Sequence, residues 1–295
     1  EVFGKLNIKR TRKFTLISSD FATKFLKLAK SDKNIVSFIF LLRQKRFMWR
    51  LKMDSGNIGF VLLCAAFVFV MTPGLAMFYG GLVRKKNVVN TMMTSIFIIG
   101  IGIVMWVLFG YSLSFAPSGN AFIGDFRWLG LEGVSLTEGY TDGASIPNMV
   151  FSAFQMMFAV ITPALITGAV AGRMKFKSIF VFTIFWSLIV YYPLAHMVWG
   201  QGGLLGADGI GALDFAGGDV VHISSGVSAL VLCILLGKRH DYEHSIYRIH
   251  NIPTVVLGAS LLMFGWFGFN AGSALAADGL AAHAFMTTGV SAAAA

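Results

Sequence analysis

The chain has 295 residues, 56% of them hydrophobic and only 13% charged, with a mean hydropathy of +0.72. Soluble domains are roughly half apolar and about a quarter charged, so the balance excludes an ordinary soluble domain and implies a polytopic membrane protein. The net charge of +10 does not mark a nucleic-acid binder: residues 1–52 carry 14 Lys and Arg against three acids, a net of +11, while residues 53–295 come to −1.

In chain order, the basic segment 1–52 comes first. Its apolar run, 35–42, is too short to span a bilayer and too closely flanked by charge for a signal peptide. The chain starts on Glu1, whereas Met53 opens MDSGNIGFVLL just before a long apolar stretch. Residues 1–52 are therefore expected to be upstream sequence outside the working protein. The functional alternative is a basic arm lying on anionic lipid.

A spanning helix needs about 20 mostly apolar residues. Six stretches qualify, at roughly 57–80, 91–115, 147–171, 178–197, 219–237 and 252–272, and a seventh starts near 282. Arg84, Lys85 and Lys86 follow the first, Arg173, Lys175 and Lys177 the third, and Lys238, Arg239 and Arg248 the fifth. The connections after the second, fourth and sixth contain Asp125, Glu132, Glu138, Asp142, Asp208 and Asp278, with Arg127 as their basic residue. By the positive-inside rule the basic connections face the cytoplasm of a cell membrane, which leaves the end at residue 53 outside.

Polar residues within such spans are costly and are functional candidates by default. FQMMFAVITPAL (154–165) places Gln155 and Phe158 in the third span, and PLAHMVWGQGG (193–203) ends the fourth with His196 and Trp199. DFAGGDVVHISSG (214–226) opens the fifth with Asp214, Asp219 and His222. Asp219, His222 and Ser225 recur at i, i+3 and i+6, on neighbouring parts of one helical face. GWFGFNAGSAL (265–275) ends the sixth with Trp266, Phe269, Asn270 and Ser273. Each has an ordinary reading too: an interfacial belt for the tryptophans, packing for the phenylalanines, a helix-start cap for Asp214 and a satisfied buried imidazole for His222. What favours a site is chemistry, since aromatic faces attract a small cation and a serine hydroxyl accepts its hydrogen bond.

Cys64 and Cys233 read as small buried hydrophobes. His240 and His244 have a metal-compatible spacing, but a solvated loop explains them as well. No nucleotide loop, nucleophile elbow or cysteine cluster is present, so the reading is not an enzyme and calls for no cofactor.

DFAGGDVVHISSG, with TPGLAMFYGGLVRKKNVVNTMM (72–93), AHMVWGQGGLLG (195–206) and GWFGFNAGSA (265–274), closely resembles the ammonium transporter (Amt) family. The likeness runs from about residue 53 to 295, and the related Rhesus proteins lack the tryptophan matched by Trp199. The resemblance implies an all-α homotrimer of eleven-helix subunits with inverted repeats, one pore per subunit and the amino terminus outside. Here the second repeat would begin near residue 252. It further implies that Trp199, Ser273 and Phe158 recruit ammonium and that Phe158 and Phe269 form the gate beneath. His222 would be the first of two pore histidines. Asp214 would order the site from beside it, with Gln155 and Trp266 near the pore.

The mechanism expected on this resemblance is that ammonium binds outside, loses its proton at the constriction and crosses as ammonia along a hydrophobic, His-lined pore. The second pore histidine belongs to a later helix. A PII-type regulatory protein would dock on the cytoplasmic face. The alternatives are an ammonium sensor coupled to a signalling partner and an inactive gene fragment.

Overall fold

The computed structural model describes residues 53–207, 209–239, 242 and 246–295. The expected upstream segment 1–52, with Asp208, His240 and His244, falls outside these residues. The described residues are helical and contain no strand, and six helices are long and apolar enough to cross a membrane. They are α1 (Ser55–Leu82), α2 (Lys85–Phe115), α3 (Asn148–Val170), α4 (Phe176–Trp199), α5 (Gly218–Leu236) and α6 (Ile252–Gly272). A further helix, α7 (Gly279–Ala294), starts a few residues before its expected position because Asp278 caps it, accepting the Ala281 N–H at 3.0 Å.

The helices run up and down between two ends. One end holds Arg84, Lys85, Lys86, Arg173, Lys175, Lys177, Lys238 and Arg239; the other holds Trp199, Asp214 and the long 116–147 connection. At this second end Asp54 caps α1 by accepting the Asn57 N–H at 2.8 Å. Asn57 itself bonds Ser145 Oγ and the Ala277 N–H, tying α1 to two connections.

The third helix is the centre of the fold, with 78% of its most apolar window buried against 22% for α5 and for α6. Trp106 of α2 donates to Ser152 of α3 at 3.2 Å, and Tyr79 of α1 donates to Leu165 O of α3 at 2.9 Å. At the basic end Arg173 holds α3 to α5 through Gly237 O at 2.8 Å and Cys233 Sγ at 2.9 Å.

Glycine lets α1 and α6 cross at backbone contact. A Cβ on Gly258 would stand 2.4 Å from Phe78 N, and one on Gly265 would stand 2.6 Å from Phe67 O. In a membrane, where hydrophobic burial gives little drive between helices, such close approach supplies the dispersion contact that replaces it.

Three helices contain π-type turns, at Trp106–Gly110, Ser187–Tyr191 and Gly218–Ile223. Each adds about one residue to a turn and re-aims the side chains that follow.

Candidate functional site

The π-type turn at Gly218–Ile223 is held open by Asp214. Its Oδ1 accepts from Gly217 N and from Gly218 N at 2.9 Å, and its Oδ2 from Asp219 N at 2.8 Å and Val220 N at 2.9 Å. Four donors that a helix start leaves without partners thus converge on one carboxylate. Gly217 makes this possible with φ 104°, a left-handed conformation in which a Cβ would also strike Val221 at 2.6 Å. The backbone carbonyl of Asp214 accepts from Trp199 Nε1 at 3.0 Å, so the same residue braces α5 and fixes the indole at the end of α4.

From Trp199 the rings continue inward. Trp199 meets Phe158 edge-on, with centroids 6.0 Å apart, and Phe158 meets Phe269 at 4.4 Å. Both phenylalanines are buried to 1% exposure, so no gap separates them. Phe269 then meets His222 at 6.0 Å and Trp266 at 5.9 Å, and His222 lies flat on Trp266 at 5.6 Å with 8° between the planes. Trp199, Phe158, Phe269, His222 and Trp266 are therefore one continuous aromatic column built from α3, α4, α5 and α6.

Ser273 is the cap residue that ends α6, one turn beyond Phe269, and its hydroxyl donates back to Phe269 O at 2.9 Å. Gln155 lies on the face of α3 that carries Phe158, is 9% exposed, and has no hydrogen-bond partner for its Oε1. Asn270 is drawn away from the column, donating to Thr288 of α7 at 2.9 Å. His196 is fully buried, with its ring nitrogens 3.1 Å from Ser114 O and 2.8 Å from Asn120 O, and serves to join α4 to the end of α2.

Of the i, i+3, i+6 set, Asp219 and His222 lie in the π-type turn and Ser225 follows it on α5. Ser225 is buried and its hydroxyl bonds Val221 O at 2.6 Å, while His222 emerges toward α6. Phe154, which sequence reasoning missed, backs Phe158 edge-on at 5.0 Å. The i, i+4 spacing of the two phenylalanines on α3 was the available signal.

Beyond the spans, the Arg127 guanidinium bonds Asp125 and holds its carboxyl below the usual carboxylate range. Burial pushes the Tyr140 hydroxyl up to about 12; it accepts the Gln201 N–H at 3.0 Å beside the turn that follows Trp199. Among the described residues no group of three or more His, Cys, Asp or Glu could hold a metal ion.

Residues 59–295 match the model of the Ammonium Transporter Family. The chain belongs to this family. It is 53% identical over 243 residues to an ammonium transporter of Bacillus subtilis (strain 168), covering 82% of this chain and 58% of that one. Ammonium transporter Amt1 of Archaeoglobus fulgidus is 42% identical over 241 residues, with the same coverage. Among solved structures, Candida albicans Mep2 matches with a TM-score of 0.74 at 33% identity, covering 82% of this chain and 53% of that one. A structure named Sensor Amt Protein matches with a TM-score of 0.71 at 28% identity, covering 81% of this chain and 59% of that one. This family member thus spans a little over half the length of the curated relatives it matches.

Proposed function

We propose that this chain forms the recruitment site, gate and first pore histidine of a protein that moves ammonium or ammonia across a cell membrane. The observation that carries the reading is the unbroken ring column from Trp199 through Phe158 and Phe269 to His222. Its outer members present π faces to a cation. Ser273, having spent its proton on Phe269 O, has lone pairs left to accept from an N–H of ammonium. Potassium has no such proton to donate, so hydrogen bonding supplies the discrimination that charge and size do not.

At Phe158 and Phe269 the column closes, with both rings almost wholly buried. A dehydrated cation is expensive there, and desolvation favours the neutral form of an amine. Ammonium therefore gives up a proton at the constriction, either back to water on the outer side, which makes the net event ammonia flux, or inward through the His222 ring, which makes it ammonium flux. It continues as ammonia past His222, whose ring supplies hydrogen-bond partners in an apolar path. A second pore histidine from a later helix completes that path. Asp214 keeps the start of α5 and the Trp199 indole in register, while Gln155 and Trp266 line or support the same site. The protein acts as a homotrimer with the Trp199 end outside, an orientation favoured by the basic residues at the other end. Those residues are also the contacts expected for a PII-type regulatory protein.

A second reading, an ammonium sensor coupled to a signalling partner, is favoured by the likeness to the structure named Sensor Amt Protein. The deciding experiment is a concentration jump on the full-length protein in proteoliposomes. Ammonium should evoke a saturable flux, read as current or internal alkalinisation, that an equal potassium jump does not. Ammonium binding without flux would favour the sensor, and equal responses to both ions would overturn the recruitment site.

A further inference from the structure

Histidines that work in a site are usually oriented by a hydrogen bond to one ring nitrogen, which fixes the tautomer and the ring plane together. In His222 the faces of the ring are held as well. Among the described residues neither ring nitrogen has a hydrogen-bond partner, and the neighbours of the ring are the faces of Trp266 and Phe269. Phe269 is tilted by 39°, but Trp266 is parallel to within 8° at a centroid distance of 5.6 Å. His222 lies inside the π-type turn Gly218–Ile223, which re-aims its side chain relative to a regular helix.

We propose that Trp266 is the positioning residue for His222: the stacked indole fixes the plane of the imidazole and leaves both edge nitrogens open to the pore. The inference rests on the pore reading of His222 and extends it. An indole face suits this task because it attracts imidazole in either protonation state, by stacking when neutral and by cation–π attraction when charged. A hydrogen-bond acceptor would grip one state and release the other. Held by Trp266, His222 can gain and lose a proton without turning away from the path. The edge nitrogens then remain available for ammonia on one side and a partner imidazole on the other. The acidic groups on this element are Asp214, whose carboxylate caps the turn, and Asp219 on the turn itself.

The test compares Trp266→Phe, which keeps an aromatic face, with Trp266→Leu, which keeps apolar bulk alone, in the full-length protein. An aromatic pair of this kind shifts a conformational population by a factor of about two to ten. Trp266→Leu should therefore cut the ammonium-evoked flux by about that factor and move its pH profile toward lower pH, since the charged ring loses its cation–π partner. Trp266→Phe should recover most of the amplitude and of the profile. A flux and pH profile unchanged in Trp266→Leu, or equally altered in both variants, would overturn the proposal, because packing alone would then explain the residue. The density of the His222 ring by cryo-electron microscopy gives a readout that does not depend on transport. The ring should take several orientations in Trp266→Leu and one in Trp266→Phe. A single, unchanged orientation in Trp266→Leu sinks the positioning role even if the protein carries no flux. Absence of flux in the unsubstituted protein would count against the transport reading instead.

Discussion

Asp214 is where a single substitution should have the clearest structural effect. Its carboxylate accepts from Gly217, Gly218, Asp219 and Val220. Asp214→Ala removes both acceptor oxygens, and with them all four bonds, at once. Gly218 is exposed and can turn to water, which leaves three N–H groups to lose their partners. At about 1 kcal/mol net for each bond, the start of α5 should become easier to open by about 3 kcal/mol. That corresponds to roughly a hundredfold fall in protection of these amides against hydrogen exchange. Asp214→Asn keeps one acceptor oxygen but turns an NH2 group toward the other donors, so it should fall between the two. The assay is hydrogen–deuterium exchange resolved to 217–223, on the full-length protein in detergent, with α3 as an internal reference. The Trp199 end of α4 should loosen with it, because the indole bonds the Asp214 carbonyl. Full protection at 217–220 in Asp214→Ala would refute the reasoning, since the turn would then be held by packing rather than by the carboxylate.

Two other expectations follow from the same packing. Gly265→Leu should separate α1 from α6, because even a Cβ there would stand 2.6 Å from Phe67 O and 2.2 Å from Met71 Cγ; the loss should be at least the 1–3 kcal/mol typical of overpacking, read as a lower thermal midpoint in detergent. Asp125→Asn should cost less than about 0.5 kcal/mol, because the Arg127 pair is partly exposed and screened by salt. With the folded carboxyl held low, that small contribution is present above the unfolded value and fades as pH falls through the folded one, so in a pH series of melts the gap between the parent protein and Asp125→Asn should be present near neutral pH and close toward acid.

Hydropathy carried most of the fold. The six expected spans correspond to α1–α6 within a few residues, because length and apolarity dominate when lipid is the solvent. The members of the column were also legible, as polar and aromatic exceptions in otherwise apolar runs. Their assembly was not. The bond from Trp199 to the Asp214 carbonyl crosses an irregular connection, and no local pattern encodes it. The i, i+3, i+6 spacing of Asp219, His222 and Ser225 carries no trace of the π-type turn, which Asp214 stabilises from outside. Phe154 was passed over because its one sequence signal, the i, i+4 spacing to Phe158, is shared by many phenylalanine pairs that merely pack in a greasy helix. The stack of His222 on Trp266 joins two helices far apart in sequence and is visible only in three dimensions.

The central claim is that the ring column ends on a histidine that handles the substrate after it has passed the gate. The most direct test is His222→Leu in the full-length protein, with ammonium and potassium fluxes measured in the same proteoliposomes. The account predicts a protein that still folds and assembles, with its ammonium flux reduced or its exclusion of potassium lost. Ammonium flux and potassium exclusion both unchanged from the parent protein would contradict it.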